Sequence, residues 1–157
     1  MGFLMSKIMK NQLCEIKLSY KPKPNRKELP VLNSSDKVFD FIRHYFDAEL
    51  IEAREEFVVI YLNRSNKVKG VLKAFQGGTS STVVDVKMIL ATALKSLSSS
   101  IVVAHNHPSG SLKPSQNDIS LTRKIKEACG LVDIQMLVHL ILTPANEYYS
   151  FADEGCL

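Results

Sequence analysis

The sequence predicts an α/β fold, in which a central mixed β-sheet is flanked by helices. Runs rich in β-branched residues, such as Glu56 to Leu62, predict buried strands. Between two such runs, the apolar residues from Val86 to Leu97 recur at the spacing of an amphipathic helix. With 157 residues, a hydrophobic fraction of 45% and no internal repeat, the chain is predicted to form one main domain with its own core.

Each predicted element follows from a local signal. Ser34-Ser35-Asp36 is typical of a helix start, Asp85 is a typical N-cap for the second helix, and Gly130 is the predicted stop of the third. The first predicted helix starts within Ser34-Ser35-Asp36, the second follows Asp85, and the third extends from Ser115 to Cys129. The predicted strands cover Gln12 to Tyr20, Glu56 to Leu62, Val68 to Phe75, Ser99 to Ala104, Ile134 to Leu142 and Tyr148 to Phe151.

The chain is predicted to divide into two parts near residue 30. Residues 1–30 form an N-terminal extension, which contains the added strand and the Pro- and Lys-rich connector Lys21 to Lys27. Residues 31–157 form the main domain. Because an edge strand presents unpaired backbone groups, the added strand could pair across a homodimer.

Composition narrows the class of protein. No apolar run approaches the ~20 residues that a membrane-spanning helix requires, so we expect no membrane association. The three cysteines, Cys14, Cys129 and Cys156, are odd in number and widely spaced, which favours free thiols and a cytoplasmic location. The net charge of +4 is modest and dispersed, so it supports nucleic-acid binding only weakly.

The most informative segment begins with His105-Asn-His107 at the end of the apolar run Ser100 to Ala104. Residues i and i+2 of an extended chain project from the same face, so both imidazoles can reach one point. Asp118 adds a carboxylate from the first turn of the next predicted helix. Two histidines and one aspartate suit Zn²⁺ and leave a fourth coordination position open, which is typical of catalytic zinc sites.

The full pattern resembles a known motif. His105-x-His-Pro, followed by six residues, Ser115, two residues and Asp118, is similar to the JAMM motif of JAB/MPN metalloprotease-like domains, and the longer string to Asp118 resembles their RadC branch. The resemblance extends to three further segments, Thr82-Val-Val-Asp-Val86, Val132 to His139 and Tyr149 to Gly155.

This resemblance implies a cytidine-deaminase-like three-layer architecture and a zinc-dependent hydrolase of the metallopeptidase or isopeptidase type. It implies that His105, His107 and Asp118 bind zinc and that Ser115 supports the oxyanion. The expected substrate or partner is a peptide or protein. RadC proteins also carry a DNA-repair label, which makes an accessory role in DNA processing an alternative function.

The general base is the point at which the chain departs from the JAMM pattern. The resemblance implies a glutamate on an earlier strand, and alignment on Gly77-Gly78 puts Lys73 at that position. A lysine is cationic at neutral pH and is a poor general base beside Zn²⁺. Three explanations are open. Either Glu55 or Glu56 could substitute for it, the domain could be a catalytically inactive zinc-binding interaction module, or the alignment could be shifted in a strand that has no second anchor.

Some residues of these segments also have structural interpretations. Ser115 and Asp118 fit the capping box of a helix start, which is compatible with a role at the metal for both. His139 lies in the apolar run Leu137 to Ile141, where we expect a buried histidine with a backbone or water partner. RadC-like sequences usually have an aspartate immediately before this histidine, whereas this chain has Val138.

Overall fold

The structure is a computed structural model that describes residues 21, 29–77 and 84–157. The described elements are α1 (Ser35–Ile42), a 3₁₀ turn (Arg43–Tyr45), β1 (Glu56–Leu62), β2 (Val68–Gln76), α2 (Val86–Lys95), β3 (Ser100–Asn106), α3 (Gln116–Gly130), β4 (Gln135–Leu142) and β5 (Tyr148–Ser150). The predicted strand Gln12 to Tyr20 and the connector beyond Lys21 lie outside the described residues.

The five strands form one mixed sheet in the order β2-β1-β3-β4-β5. β3 and β4 are parallel, and every other neighbouring pair is antiparallel. A parallel pair requires a crossover connection, and α3 provides it between β3 and β4. The predicted α/β fold with a mixed sheet and flanking helices is therefore confirmed.

Helices cover both faces of the sheet, which makes three layers. On one face, α1 packs through Val38 and Ile42 against a core that includes Val58 and Ala104. On the other face, α2 and α3 pack against a second core. That core contains Phe57, Val59, Tyr61, Ile89, Ala93, Ile101, Val103, Ile125 and Cys129. We call these the α1 face and the α2/α3 face.

Strand register assigns each polar residue to one of these faces. Phe57 of β1 lies opposite His105 of β3, and Val58 lies opposite Ala104. Residues directly opposite each other project to the same face, and consecutive residues project to opposite faces. His105 therefore belongs to the α2/α3 face.

Local signals account for most element boundaries. The Ser34 side chain accepts a hydrogen bond from Lys37 N, and the Asp85 side chain accepts one from Lys87 N, so both act as N-caps. Several bounds differ from the prediction by one or two residues, and at two of them the structure shows the reason. β3 continues through His105 and Asn106 because both residues still pair with β4. Gly130 is the last helical residue, and the positive φ of 56° falls instead at Asp133.

Among the described helices, none has the length and apolar character needed to cross a membrane. Cys129 is buried and Cys156 is exposed, and both are free thiols.

Candidate metal centre

Three predicted ligands meet where β3 ends and α3 begins. His105 is the penultimate residue of β3, His107 directly follows that strand, and Asp118 lies in the first turn of α3. The Nε2 atoms of the two histidines are 3.1 Å apart. Asp118 Oδ1 lies 3.2 Å from His105 Nε2, and its Oδ2 lies 3.3 Å from His107 Nε2.

These separations fit a tetrahedral zinc ion. Two ligand atoms at the usual Zn–N and Zn–O distances, with a tetrahedral angle between them, are about 3.3 Å apart. When one ligand atom is chosen from each of the three residues, these atoms all lie within 4.8 Å of one another. The residues present therefore match Zn²⁺ in both chemical type and spacing.

The hydrogen bond of the second ring nitrogen of His107 determines the tautomer of that side chain. Its Nδ1 lies 2.8 Å from the carbonyl oxygen of Ser111. A carbonyl can only accept, so His107 Nδ1–H is the donor. In the neutral ring, this leaves the lone pair on Nε2, directed at the other two ligands.

Asp118 is held by the capping box at the start of α3. The Ser115 side chain accepts a hydrogen bond from Asp118 N, and Asp118 Oδ2 accepts one of 2.6 Å from Ser115 N. Burial raises the pKa of Asp118, but the adjacent imidazole rings of His105 and His107 outweigh that effect and hold the pKa well below its usual range. Asp118 therefore supplies a carboxylate with a fixed orientation.

Ser115 is the N-cap of α3, as its structural interpretation predicts. A hydroxyl oxygen that accepts a hydrogen bond still has its own proton to donate. The cap therefore leaves a role for Ser115 at the metal chemically open, and that role stays a prediction.

The surroundings of His107 raise the pKa of its imidazole. Its hydrogen bond with Asp118 raises its pKa above the usual value, against a smaller opposing effect of burial. The negative charge of Glu55 contributes in the same direction. Without a metal, a proton on His107 is the positive charge that this site attracts.

Sequence reasoning missed the partners of His139. The backbone or water partner expected for this histidine is not what the structure shows: Nε2 lies 2.8 Å from His105 Nδ1, and Nδ1 lies 2.7 Å from Thr122 Oγ1. The parallel register places His139 opposite Val103, on the same face as His105. The contact could have been predicted from the pairing register of β3 and β4, but periodicity alone does not give that register.

Lys73 and Glu56 lie on the other face of the sheet. Lys73 is opposite Val58, so it projects to the α1 face. Its Nζ lies 3.9 Å from Oε1 of Glu56, a buried residue that also belongs to this face. Glu56 Oε1 accepts a hydrogen bond of 3.2 Å from Arg54, and Oε2 accepts one of 3.0 Å from Asp47 N. The structure thus brings neither residue to the metal centre.

Glu55, the other carboxylate considered from the sequence, lies near His107. It precedes β1, and its carbonyl oxygen accepts a hydrogen bond of 2.9 Å from Gly77 N. The pairing of β1 with β3 ends at Phe57 and His105, so Glu55 is at the same end of the sheet as His107. The effect of its charge on the pKa of His107 agrees with this placement.

Comparison with known proteins identifies one matching family model and several similar proteins. The family model of the RadC-like JAB domain matches residues 32–156. A UPF0758 protein of Flavobacterium johnsoniae is 46% identical over 101 residues, which cover 64% of this chain and 44% of that protein. One from Porphyromonas gingivalis is 42% identical over 104 residues, covering 66% and 46%. One from Aquifex aeolicus is 33% identical over 142 residues, covering 90% and 59%. The chain spans about half the length of the curated relatives it matches.

Proposed function

Since the chain belongs to the RadC-like JAB domain family, we propose that it is a zinc-dependent hydrolase of the metallopeptidase or isopeptidase type. The observation that carries this proposal is the convergence of two imidazole lone pairs and one carboxylate at tetrahedral spacing. Three protein ligands leave one coordination position for chemistry, whereas structural zinc sites use four. In keeping with its free thiols, we place the activity in the cytoplasm.

In this proposal the protein holds the metal through His105, His107 and Asp118. A bound Zn²⁺ polarises a carbonyl oxygen and makes water a nucleophile near neutral pH. The chain itself must then accept a proton from the attacking water and return it to the leaving amine. A carboxylate beside the metal suits that role, because it is ionised at neutral pH and carries no positive charge.

We assign this proton transfer to the carboxylate of Glu55. Its charge acts on His107 from the same end of the sheet, whereas Glu56 is held by Arg54, Lys73 and Asp47 N on the opposite face. We assign to Ser115 Oγ–H, at the first residue of the capping box, the role of donor to a developing oxyanion. The substrate class remains a peptide or isopeptide bond.

The second candidate is a zinc-binding module without catalysis. A lysine at the position of the general base was the sequence feature that favoured it. The register removes that argument, because Lys73 faces α1 and interacts with Glu56.

The experiment measures zinc content and peptide hydrolysis on the same samples. Zinc-loaded wild type is incubated with a peptide library and with isopeptide-linked conjugates, and cleavage is read by mass spectrometry. We expect Glu55→Gln to lower the rate about 10²–10⁴-fold, the usual contribution of a positioned base, with zinc content unchanged. Glu56→Gln is the matched control on the opposite face and is expected to retain most of the rate.

Two results would overturn the proposal. Wild-type protein with full zinc that cleaves nothing in the library would support the non-catalytic module. Robust cleavage that Glu55→Gln leaves unchanged would show that another group moves the proton.

A further inference from the structure

We propose that His139 and Thr122 form a brace that fixes the tautomer and the orientation of the ligand His105. The inference rests on the proposed metal site, because it concerns how the chain prepares one of the ligands. His139 and Thr122 are positioning residues in this account, since they contact His105 and Asp118 but not the metal position. We call the pair the His139–Thr122 brace.

The direction of each hydrogen bond in the brace follows from counting protons. Thr122 Oγ1 lies 2.6 Å from the carbonyl oxygen of Asp118, which can only accept. The hydroxyl donates its single proton to this carbonyl oxygen. Oγ1 must therefore accept at its second contact, from His139 Nδ1 at 2.7 Å. His139 therefore carries its proton on Nδ1.

The tautomer of His139 in turn determines the tautomer of His105. A neutral histidine with its proton on Nδ1 has a lone pair on Nε2. His139 Nε2 must then accept from His105 Nδ1–H, 2.8 Å away. This leaves the His105 lone pair on Nε2, the atom that faces His107 and Asp118.

The surroundings of His139 favour its neutral form. The ring is fully buried, and it stacks on Phe151 with ring centroids 4.7 Å apart. Phe57 lies against it edge-on at 5.8 Å. Charging an imidazole between two phenyl rings has a large desolvation penalty. A doubly protonated His139 would also place an N–H on the side of His105, which would force the His105 proton onto the metal-facing nitrogen.

The brace also links the elements that carry the ligands. His105 is on β3, His139 is on β4, and Thr122 is one turn along α3 from Asp118. The chain of three hydrogen bonds therefore connects one ligand to the backbone of another through buried side chains. Partners that orient a ligating histidine in this way typically affect metal affinity about 10–100-fold.

A simpler role for His139 is that it fills space between two aromatic rings. Two substitutions separate this role from the brace. His139→Phe keeps a ring between Phe57 and Phe151 but removes the acceptor for His105 Nδ1–H. His139→Gln loses the ring but has a carbonyl oxygen that can accept the same hydrogen bond. The brace predicts higher zinc affinity for Gln than for Phe, whereas a packing role predicts the reverse.

The experiment measures zinc dissociation constants by competition with a chromophoric chelator, together with the melting temperature of each metal-free variant. We expect affinity to fall about 10–100-fold in His139→Phe, to fall in Thr122→Val, and to stay closer to wild type in His139→Gln. Thr92→Val is the matched control, because Thr92 Oγ1 also donates to the carbonyl four residues back, at 2.8 Å from Met88 O, but on α2. It should leave zinc affinity unchanged.

The outcomes separate this inference from the proposed function. Normal zinc affinity in both His139→Phe and Thr122→Val, or affinities that follow the melting temperatures with Phe above Gln, would overturn the brace alone. A wild-type chain that binds no zinc would overturn the metal site and the brace with it. Because affinity is the readout, a catalytically inactive chain with intact zinc binding still tests the brace. If His139→Phe does not fold, Thr122→Val and His139→Gln decide the result.

Discussion

Two polar clusters lie at the same end of the sheet, on opposite faces. The metal cluster consists of His105, His107 and Asp118 on the α2/α3 face. The Glu56 cluster consists of Glu56, Arg54 and Lys73 near the α1 face. The backbone links them, since Glu56 N donates a 2.7 Å hydrogen bond to the side chain of Asn106, the residue between the two histidines.

The clusters differ in whether their charges are balanced. The Glu56 carboxylate has two cationic neighbours and a backbone amide donor, at 3.2, 3.9 and 3.0 Å. The metal cluster directs lone pairs and a carboxylate at one another, and no lysine or arginine takes part in the contacts described for its three side chains. Electron-rich atoms about 3.3 Å apart repel unless a cation lies between them. The negative charge of Glu56 is therefore balanced by neighbouring protein groups, whereas the metal cluster requires a proton or a metal ion.

The largest expected effect comes from removing two metal ligands. In the His105→Ala, His107→Ala double variant, zinc affinity should fall at least about 10³-fold, equivalent to about 4 kcal/mol, because only Asp118 remains. Elemental analysis after dialysis and chelator competition both measure it. Glu56→Ala, the change in the other cluster, should keep zinc affinity within about threefold. Stoichiometric zinc in the double variant would contradict the assignment of the zinc site to the metal cluster.

The next effect is on stability and belongs to the Glu56 cluster. Glu56→Ala should lower the free energy of unfolding by about 1–3 kcal/mol, since Arg54 and Asp47 N lose a buried acceptor. Urea denaturation measures this as a lower midpoint at unchanged slope. Glu49→Ala, an exposed glutamate near the same turn, is the control and should stay within about 0.5 kcal/mol. Equal stabilities for the two variants would mean that the Glu56 contacts contribute nothing.

The pH dependence of zinc affinity tests the charges assigned to the metal cluster. Hydrogen bonding with Asp118 raises the pKa of His107, so a proton competes with zinc for this ligand as the pH falls through that pKa. Asp118, with its pKa well below the usual range, stays ionised and adds no competing proton. Zinc affinity should therefore fall about tenfold per pH unit below the raised pKa of His107. A dissociation constant that is constant between about pH 5 and 8 would contradict this.

The smallest expected effect is that of Lys73. Its ammonium is 3.9 Å from Glu56, and its side chain is 37% exposed. Solvent therefore screens the pair, and Lys73→Ala should cost less than about 1 kcal/mol in urea denaturation. Lys73→Glu should bring no gain in peptide hydrolysis, because the new carboxylate faces α1. A clear gain would place residue 73 beside the metal and reverse the assignment of faces.

The convergence of the three candidate ligands was predictable because it is encoded locally. A His-x-His pair on a strand and an aspartate in the first turn of the following helix are placed by rules that act over a few residues. The order of helices and strands was predictable for the same reason. Small errors at element ends, as at Asn106 and Gly130, arise because pairing with β4 and the turn at Asp133 determine them.

The faces of Glu56 and Lys73 and the partners of His139 depend on interactions between distant strands. A register irregularity between Phe57 and Val58 sets which β2 residue faces which layer, and a shift of one residue reverses every side chain. His139 meets His105 only because β3 and β4 pair in parallel with Val103 opposite His139. Periodicity within one strand contains neither piece of information.

The central claim is that the metal cluster binds zinc and the Glu56 cluster does not. Anomalous difference maps from crystals of zinc-loaded protein, recorded on both sides of the zinc absorption edge, test it most directly. The account predicts one peak about 2.0–2.2 Å from His105 Nε2, His107 Nε2 and an Asp118 carboxylate oxygen. No peak between these atoms, or a peak beside Glu56 in its place, would contradict it.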